Sequence, residues 1–426
     1  MPHSPFRLTA TEALGRIAAG DLTAREWTES CLDRIEALDR EIRAFVHVDP
    51  AGARKAAAEV DAGRRKGPLA GAPFAAKDII DTHDMPTAYG SEIYAGARPA
   101  ADASPVAMAR AAGAVLLGKT VTTEFANLTP GPTLNPLAID RTPGGSSSGS
   151  AAAVAAGMVP LAYGTQTTQS TIRPASYCGV HGYCPTQGDF RLSGVREAAG
   201  SFDRLGLITR SIADIALLRD VLIRRRPRTF EACPEPPSIG FCRTQLWPTM
   251  DPTLQAELLR AAARLGEAGA SVVEIELPAV FAILPDAHRT VSSFEFVRNF
   301  AFEIDRHWER ISPQLRHGRI ADGLATTYER YVAAGAAIAQ ARTQLPAVFE
   351  KIDLIMTAST LGEAPHGFKS TGSAAIGALF TPLGLPCITI PAFKGPTAMP
   401  MGLQALGPLG GDDALLAQAA WIEANL

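Results

Sequence analysis

The sequence predicts an α/β protein, and three observations carry that prediction. Helical stripes with capping signals alternate along the chain with short runs of apolar and small residues that read as buried strands. Of the 426 residues, 46% are hydrophobic and 19% charged, the balance of a globular chain with a large core. That length exceeds the usual domain, but large α/β enzymes run as one unit. A formal net charge of −3 leaves no footprint for nucleic acid or an anionic membrane. The opening residues, MPHSPFRLTATEALGRIAAG, hold no apolar signal core, and no run is long enough to span a bilayer. Cys31, Cys178, Cys184, Cys233, Cys242 and Cys387 form no CxxC pair and read as buried thiols of a cytoplasmic chain.

Residues 8–40 read as two helices. Thr9 with Glu12 and Thr23 with Glu26 have capping-box spacing. Leu8, Ala13, Leu14 and Ile17 form one apolar stripe, and Trp27, Cys31, Ile35 and Leu38 another. This part is expected to be scaffold or subunit contact, which leaves a homodimer open. A further helix over 51–66 is stopped by Gly67-Pro68, and a buried strand over 74–80 follows with Lys77 inside it. Residues 104–112 read as a helix with Ser104 as N-cap and Pro105 first, ahead of a strand at 114–118. Lys119, Thr122, Thr123 and Glu124 come next, as pocket wall or surface. Later come a helix at 212–222, a basic loop at 224–228 read as solvated, and strands at 238–242 and 271–277. Those strands flank a helix over 252–268 capped by Asp251. The span 285–350 reads as mainly helical. Its His288, His307 and His317 have no metal-ligand spacing, and no metal or cofactor is expected. Strands at 354–357, 387–391 and 401–406 and a helix at 412–425 close the chain.

The chemistry concentrates in residues 142–188. A turn from Gly144 through Ser146 to Gly149 opens onto an Ala/Val run, and a second turn at 164–170 ends in Ser170 before Ile172-Arg173-Pro174. A Gly/Ser linker would not be followed by such apolar residues. A phosphate loop would need Gly-Lys-Ser/Thr, yet there is no lysine between Lys119 and Lys351. Two serine-bearing turns around one packed element can join hydroxyls into a nucleophilic site without histidine, its base coming from elsewhere. Lys77 fits that base if burial drives its amine towards neutrality. Local sequence alone favours a strand-end lysine paired with Asp78 or Asp81.

The stretch resembles the signature of the amidase signature enzymes, serine hydrolases that cleave carboxamides. GAPFAAKDIIDTHDMPTAYGS (71–91), AAGAVLLGKTVTTEFA (111–126), TPLGLPCITIPA (381–392) and MGLQALGP (401–408) are similar to the same family. The Thr-Gln-Thr before the second turn and Ile-Arg-Pro after it resemble a short, malonamidase-like branch. The resemblance implies one domain over 1–426, a mixed central sheet wrapped by helices. Its parts would be a helical start (1–66), a catalytic core (67–222), a variable helical pocket part (223–350) and a return to the sheet (351–426). It implies Lys77 as general base, Ser146 after a cis peptide bond as proton relay, and Ser170 as nucleophile. Backbone N–H groups of Thr167, Thr168, Gln169 and Ser170 would form the oxyanion hole. Arg173 would hold a substrate carboxylate, although an arginine there can also sit in a structural salt bridge.

One departure stands out. The family has small residues, mostly Gly-Gly, where this chain has Thr168-Gln169. Glycine allows positive φ, which Gln tolerates poorly. Gln169 is therefore expected to fill the acyl pocket and contact substrate, or to leave the hole badly formed. The expected activity is hydrolysis of a small acyl amide, with or without a carboxylate, through an acyl-enzyme. The alternatives are an acyltransferase or amidotransferase in a biosynthetic pathway or complex, and a catalytically weakened amidase-like binding protein.

Overall fold

The computed structural model describes residues 4–127 and 129–426. Its strands are β1 (Phe45–Val48), β2 (Pro73–Lys77), β3 (Val115–Thr120), β4 (Leu161–Gln166), β5 (His181–Cys184) and β6 (Arg204–Thr209). They continue with β7 (Ser238–Phe241), β8 (Ser271–Glu274), β9 (Leu354–Ala358), β10 (Cys387–Lys394) and β11 (Pro400–Leu406). All join one 11-stranded sheet in the order β1-β3-β2-β4-β6-β5-β10-β11-β9-β7-β8. The sheet is mixed, as expected. β2 runs parallel to β3 and β4, and β7 parallel to β8 and β9, while the remaining pairs are antiparallel. Every residue of β2, β3, β4, β5, β6 and β9 is buried, so these strands lack the in–out alternation of a half-exposed strand, although Lys77, Lys119, His181 and Arg204 interrupt their apolar or small residues.

Helices cover the sheet. Both α1 (Ala10–Ala19) and α2 (Ala24–Ile42) carry the capping boxes read from the sequence. Asp214 also accepts from Ala10 N–H (2.9 Å) and Thr11 N–H (2.8 Å), tying the start of α1 to the core. The next helix, α3 (Pro50–Asp61), stops short of the expected 66, because Gly63 takes a φ of 70° and turns the chain. In α4 (Ser104–Ala111) the cap is Ala103 and Ser104 is already helical. The Ala-rich run is α5 (Ser148–Ala155), buried from Ser148 to Val154. It approaches backbone to backbone: a Cβ on Gly149 would lie 2.2 Å from the Ala44 carbonyl oxygen. Ser150 Oγ fastens it to the sheet, lying 2.7 Å from Thr120 Oγ1 and donating to the Tyr163 carbonyl at 2.9 Å.

After α6 (Ile172–Cys178) and α7 (Ile212–Leu222), the basic loop proves to be paired: Arg225 and Arg228 bind Asp413, and Arg225 also binds Asp220. Asp251 caps α8 (Pro252–Glu267) as expected. The helical span begins with α9 (Leu284–Asn299) and contains a five-residue π turn, Arg316–Ile320. No helix among the described residues is long and apolar enough to cross a membrane.

Candidate active site

Lys77 closes β2, with β3 on one side and β4 on the other, and is fully buried. Its Nζ lies 2.7 Å from Ser146 Oγ and 2.8 Å from Thr165 Oγ1 of β4. Burial pushes the amine down to about 7, against an opposing pull from Asp203 and Cys184. The competing pairings fail. Asp78 is bound by Lys119, with Nζ 3.2 Å from Oδ1, and Asp81 accepts from the Tyr89 hydroxyl at 2.9 Å.

Ser146 follows a cis Gly145–Ser146 peptide bond, as the resemblance implies. Ser170 is 9% exposed and Ser146 only 2%. Ser147 N–H donates to the Ser170 carbonyl at 3.2 Å, which brings the two serine turns edge to edge. The hydroxyls of Ser146 and Ser170 make no hydrogen bond to each other.

Thr167, Thr168 and Ser170 line a cavity of about 400 Å³, together with Arg173, His288 and Arg319. Neither Thr168 nor Gln169 has positive φ, so the turn never asks for the glycines it lacks. Neighbouring groups hold it instead. Thr167 Oγ1 donates to Asp203, His288 Nε2 to the Thr167 carbonyl (2.9 Å), and Thr381 Oγ1 to the Thr168 carbonyl (2.5 Å). Gln166 Oε1 accepts from Thr171 N–H (3.1 Å) and Ile172 N–H (3.2 Å), gathering the first amides of α6. Among the described residues, nothing accepts from the N–H groups of Thr168, Gln169 or Ser170.

Gln169 departs from its expected contact with substrate. Its amide donates to the Ser359 carbonyl and it does not line the cavity. Space for it comes from the facing wall: a Cβ on Gly377 would sit 2.3 Å from the Thr168 carbonyl oxygen and 2.6 Å from Gln169 Cβ. The glycine missing from the turn is replaced by one opposite it.

Arg173 is buried but sits in no salt bridge among the described residues, so that alternative also fails. Its Nε and Nη2 donate to the Gly145 carbonyl at 3.2 and 2.6 Å, and Nη1 donates to Gly372 at 2.7 Å. Burial lowers it to about 10, which leaves a cation at neutral pH. The arginine thus fixes the peptide group leading into Ser146.

Four residues of the site escaped the sequence reading: Thr165, Asp203, His288 and Arg319. Asp203, half-buried just before β6, is pushed up to about 6 by desolvation, although hydrogen bonds from Thr167, Ala199 and Ala198 oppose this. His288, from α9, stacks on Phe202 at 4.7 Å and is lowered to about 4 by burial, so it is neutral. With its Nε2–H on the Thr167 carbonyl, Nδ1 is the bare acceptor. Away from this site, His83, Asp84 and Asp102 lie close together, but Arg110 binds both carboxylates and the trio reads as an ion-pair cluster.

Known proteins share this arrangement of chain. A model of the amidase family matches residues 26–416. A glutamyl-tRNA(Gln) amidotransferase subunit from Chloroflexus aggregans is 35% identical, over 94% of this chain and 92% of that protein. A chain from a vestigial protein complex that reveals the origins of an s-triazine catabolic enzyme superposes with a TM-score of 0.89 at 28% identity, over 98% of this chain and 99% of that one. The native peptide amidase of Stenotrophomonas maltophilia superposes with a TM-score of 0.82 at 29% identity, over 98% and 96%. With a family match over most of its length and the same fold throughout, the chain belongs to the amidase signature family.

Proposed function

We propose that this chain opens the C–N bond of a small carboxamide through an ester on Ser170, and that it does so as the ammonia-releasing subunit of an amidotransferase. The observation that carries the chemistry is an amine poised near neutrality in contact with Ser146. Uncharged Lys77 takes the Ser146 proton while Ser146 takes that of Ser170, and Ser170 Oγ attacks the carbonyl carbon. Bound substrate closes the gap between the serine hydroxyls, since such contacts are commonly loose in an empty site. The carbonyl oxygen, now carrying the electron pair of its former double bond, is held by N–H groups of Thr167, Thr168, Gln169 and Ser170. When that pair returns, the C–N bond breaks and the nitrogen leaves with the relayed proton. Water or another nucleophile then opens the ester. Thr165 keeps the lysine amine in place, and Arg173 contacts the acyl part through the N–H groups left free by Gly145 and Gly372.

The relatives favour the amidotransferase alternative over the free hydrolase, because the curated proteins of nearly equal length are subunits by name. The second reading, a free-standing amidase of the malonamidase-like branch, draws support from the likeness to peptide amidase and from the Thr165-Gln166-Thr167 and Ile172-Arg173-Pro174 pattern. A fluorophosphonate probe followed by peptide mass spectrometry tests the chemistry: labelling falls on Ser170 and disappears in Lys77→Ala. Labelling elsewhere, or intact labelling in Lys77→Ala, refutes the mechanism. Ammonia release with the chain alone, compared with the chain and its co-purified partner, separates the two readings.

A further inference from the structure

His288 stands in the cavity wall with one part left to play in a hydrogen bond. It lines the cavity from α9 at 3% exposure, and its ring stacks on Phe202, centroids 4.7 Å apart and planes 28° from parallel. Nε2 lies 2.9 Å from the Thr167 carbonyl oxygen, with Thr168 Oγ1 further off at 3.5 Å. A carbonyl only accepts, so the ring hydrogen sits on Nε2 and Nδ1 keeps a bare lone pair. Burial lowers the ring to about 4, with the Thr167 carbonyl opposing and Arg319 adding to the effect, so at neutral pH no second hydrogen arrives.

Among the described residues nothing donates to Nδ1, yet the atom is not sealed inside the protein. On a side chain so buried, its open side is the one that lines the cavity. Ser293 and Thr371, both buried, line the same cavity with hydroxyls that also find no partner among the described residues. A hydroxyl turns to donate or accept as a ligand requires. The imidazole, pinned by its stack and through Nε2, does not. A buried acceptor without a donor is unfavourable, and a ligand that supplies the donor removes that penalty. The guanidinium groups of Arg173 and Arg319 line the wall as well and repel an ammonium from this role.

We propose that His288 Nδ1 accepts a hydrogen bond from an uncharged N–H or O–H group on the acyl part of the substrate, so that the amide cleaved here carries a second carboxamide or a hydroxyl. The assignment rests on the reading of this cavity as the place where the amide binds beside Ser170.

The test is titration calorimetry on Ser170→Ala with isosteric pairs. Aliphatic diamides of increasing length are compared with amides that end in a methyl ketone, and ω-hydroxy amides with the same chains ending in methyl. In at least one pair the donor binds about 10-fold tighter than its isostere, and the pair that shows it identifies the group. In Ser170→Ala/His288→Phe, which keeps an aromatic ring on Phe202 and loses the acceptor, both members of that pair bind equally. Long-range proton–nitrogen correlation spectra of Ser170→Ala carrying nitrogen-15 histidine report the contact itself. The Nδ1 resonance of His288, from an Nε2–H ring that does not titrate between about pH 5 and 8, moves upfield with the donor and holds still with the isostere. Equal affinities in every pair, no binding of any of these amides, or a hydrogen found on Nδ1 overturns the proposal, and none of these results needs the phenylalanine variant to fold. A preference that survives His288→Phe overturns it too. If Ser170 takes the fluorophosphonate but no pair shows a preference, this inference falls and the acyl-enzyme reading stands. If the preference holds but Ser170 stays unlabelled, the acyl-enzyme reading falls and the donor site stands.

Discussion

Replacing Lys77 with methionine should remove activity and yet make the protein more stable at neutral pH. Holding the amine uncharged displaces it from 10.5 to about 7. At ~1.4 kcal/mol per pH unit, the fold therefore carries about 5 kcal/mol of unfavourable free energy at pH 7. Methionine fills a similar volume without that burden, but strands the hydroxyls of Ser146 and Thr165 at a cost of ~1–2 kcal/mol each. The net gain is about 1–3 kcal/mol. Its pH dependence is the sharper test. Between about 7 and 10.5 the unfolded chain binds more protons at this group than the folded chain does, so wild-type stability rises with pH and that of Lys77→Met does not follow. The advantage of the variant should shrink by up to ~1.4 kcal/mol per pH unit and vanish near pH 8–9. Asp203 does not blur this: raised from 3.8 to about 6, it lowers stability as pH rises through that range, and its contribution is constant above it. Urea midpoints of both proteins at successive pH values measure the gap. A variant less stable than wild type at pH 7, by an amount that ignores pH, would mean that the lysine is charged in the fold and that the proposed base does not exist.

Three further outcomes are expected. Labelling of Ser170 by fluorophosphonate should accelerate as pH rises through about 7 and then level off, because only the uncharged amine accepts a proton; stopped-flow labelling at fixed ionic strength measures it. Gly377→Ala should slow the same labelling by about 100-fold, since the new Cβ would meet the Thr168 carbonyl oxygen at 2.3 Å and move the N–H groups of the turn. Asp214→Ala should lower stability by about 1–3 kcal/mol with little change in labelling, because it leaves the amides of Ala10 and Thr11 unpaired far from Ser170.

Where order is local, the sequence announced it. The Thr9/Glu12 and Thr23/Glu26 boxes and Asp251-Pro252 place helix starts because cap and helix lie within one turn of chain. Two short strands stayed hidden where two others, β7 and β8, were legible. β1 and β5 have four residues each, with His47 and His181 breaking any apolar run, so only their partners across the sheet define them. The lysine and two serines were readable through a resemblance concentrated around them. The worry over Thr168-Gln169 was unreadable, because its resolution is Gly377, a residue from another helix whose meaning exists only by contact. His288 and Arg319 likewise come from the span least like the family. What they do depends on packing against Thr167 and Ser292, which no spacing along the chain encodes.

The sealing of Lys77 has a consequence for how protons travel. With no surface of its own, the amine trades hydrogen only with the hydroxyls that touch it, and bulk acids and bases cannot reach it. In the mechanism proposed above, a hydrogen taken from Ser170 would therefore have one way out, back along Ser146 and onto the departing nitrogen. Turnover by that route would be set by the protein's own lysine and should be deaf to the concentration of buffer around it.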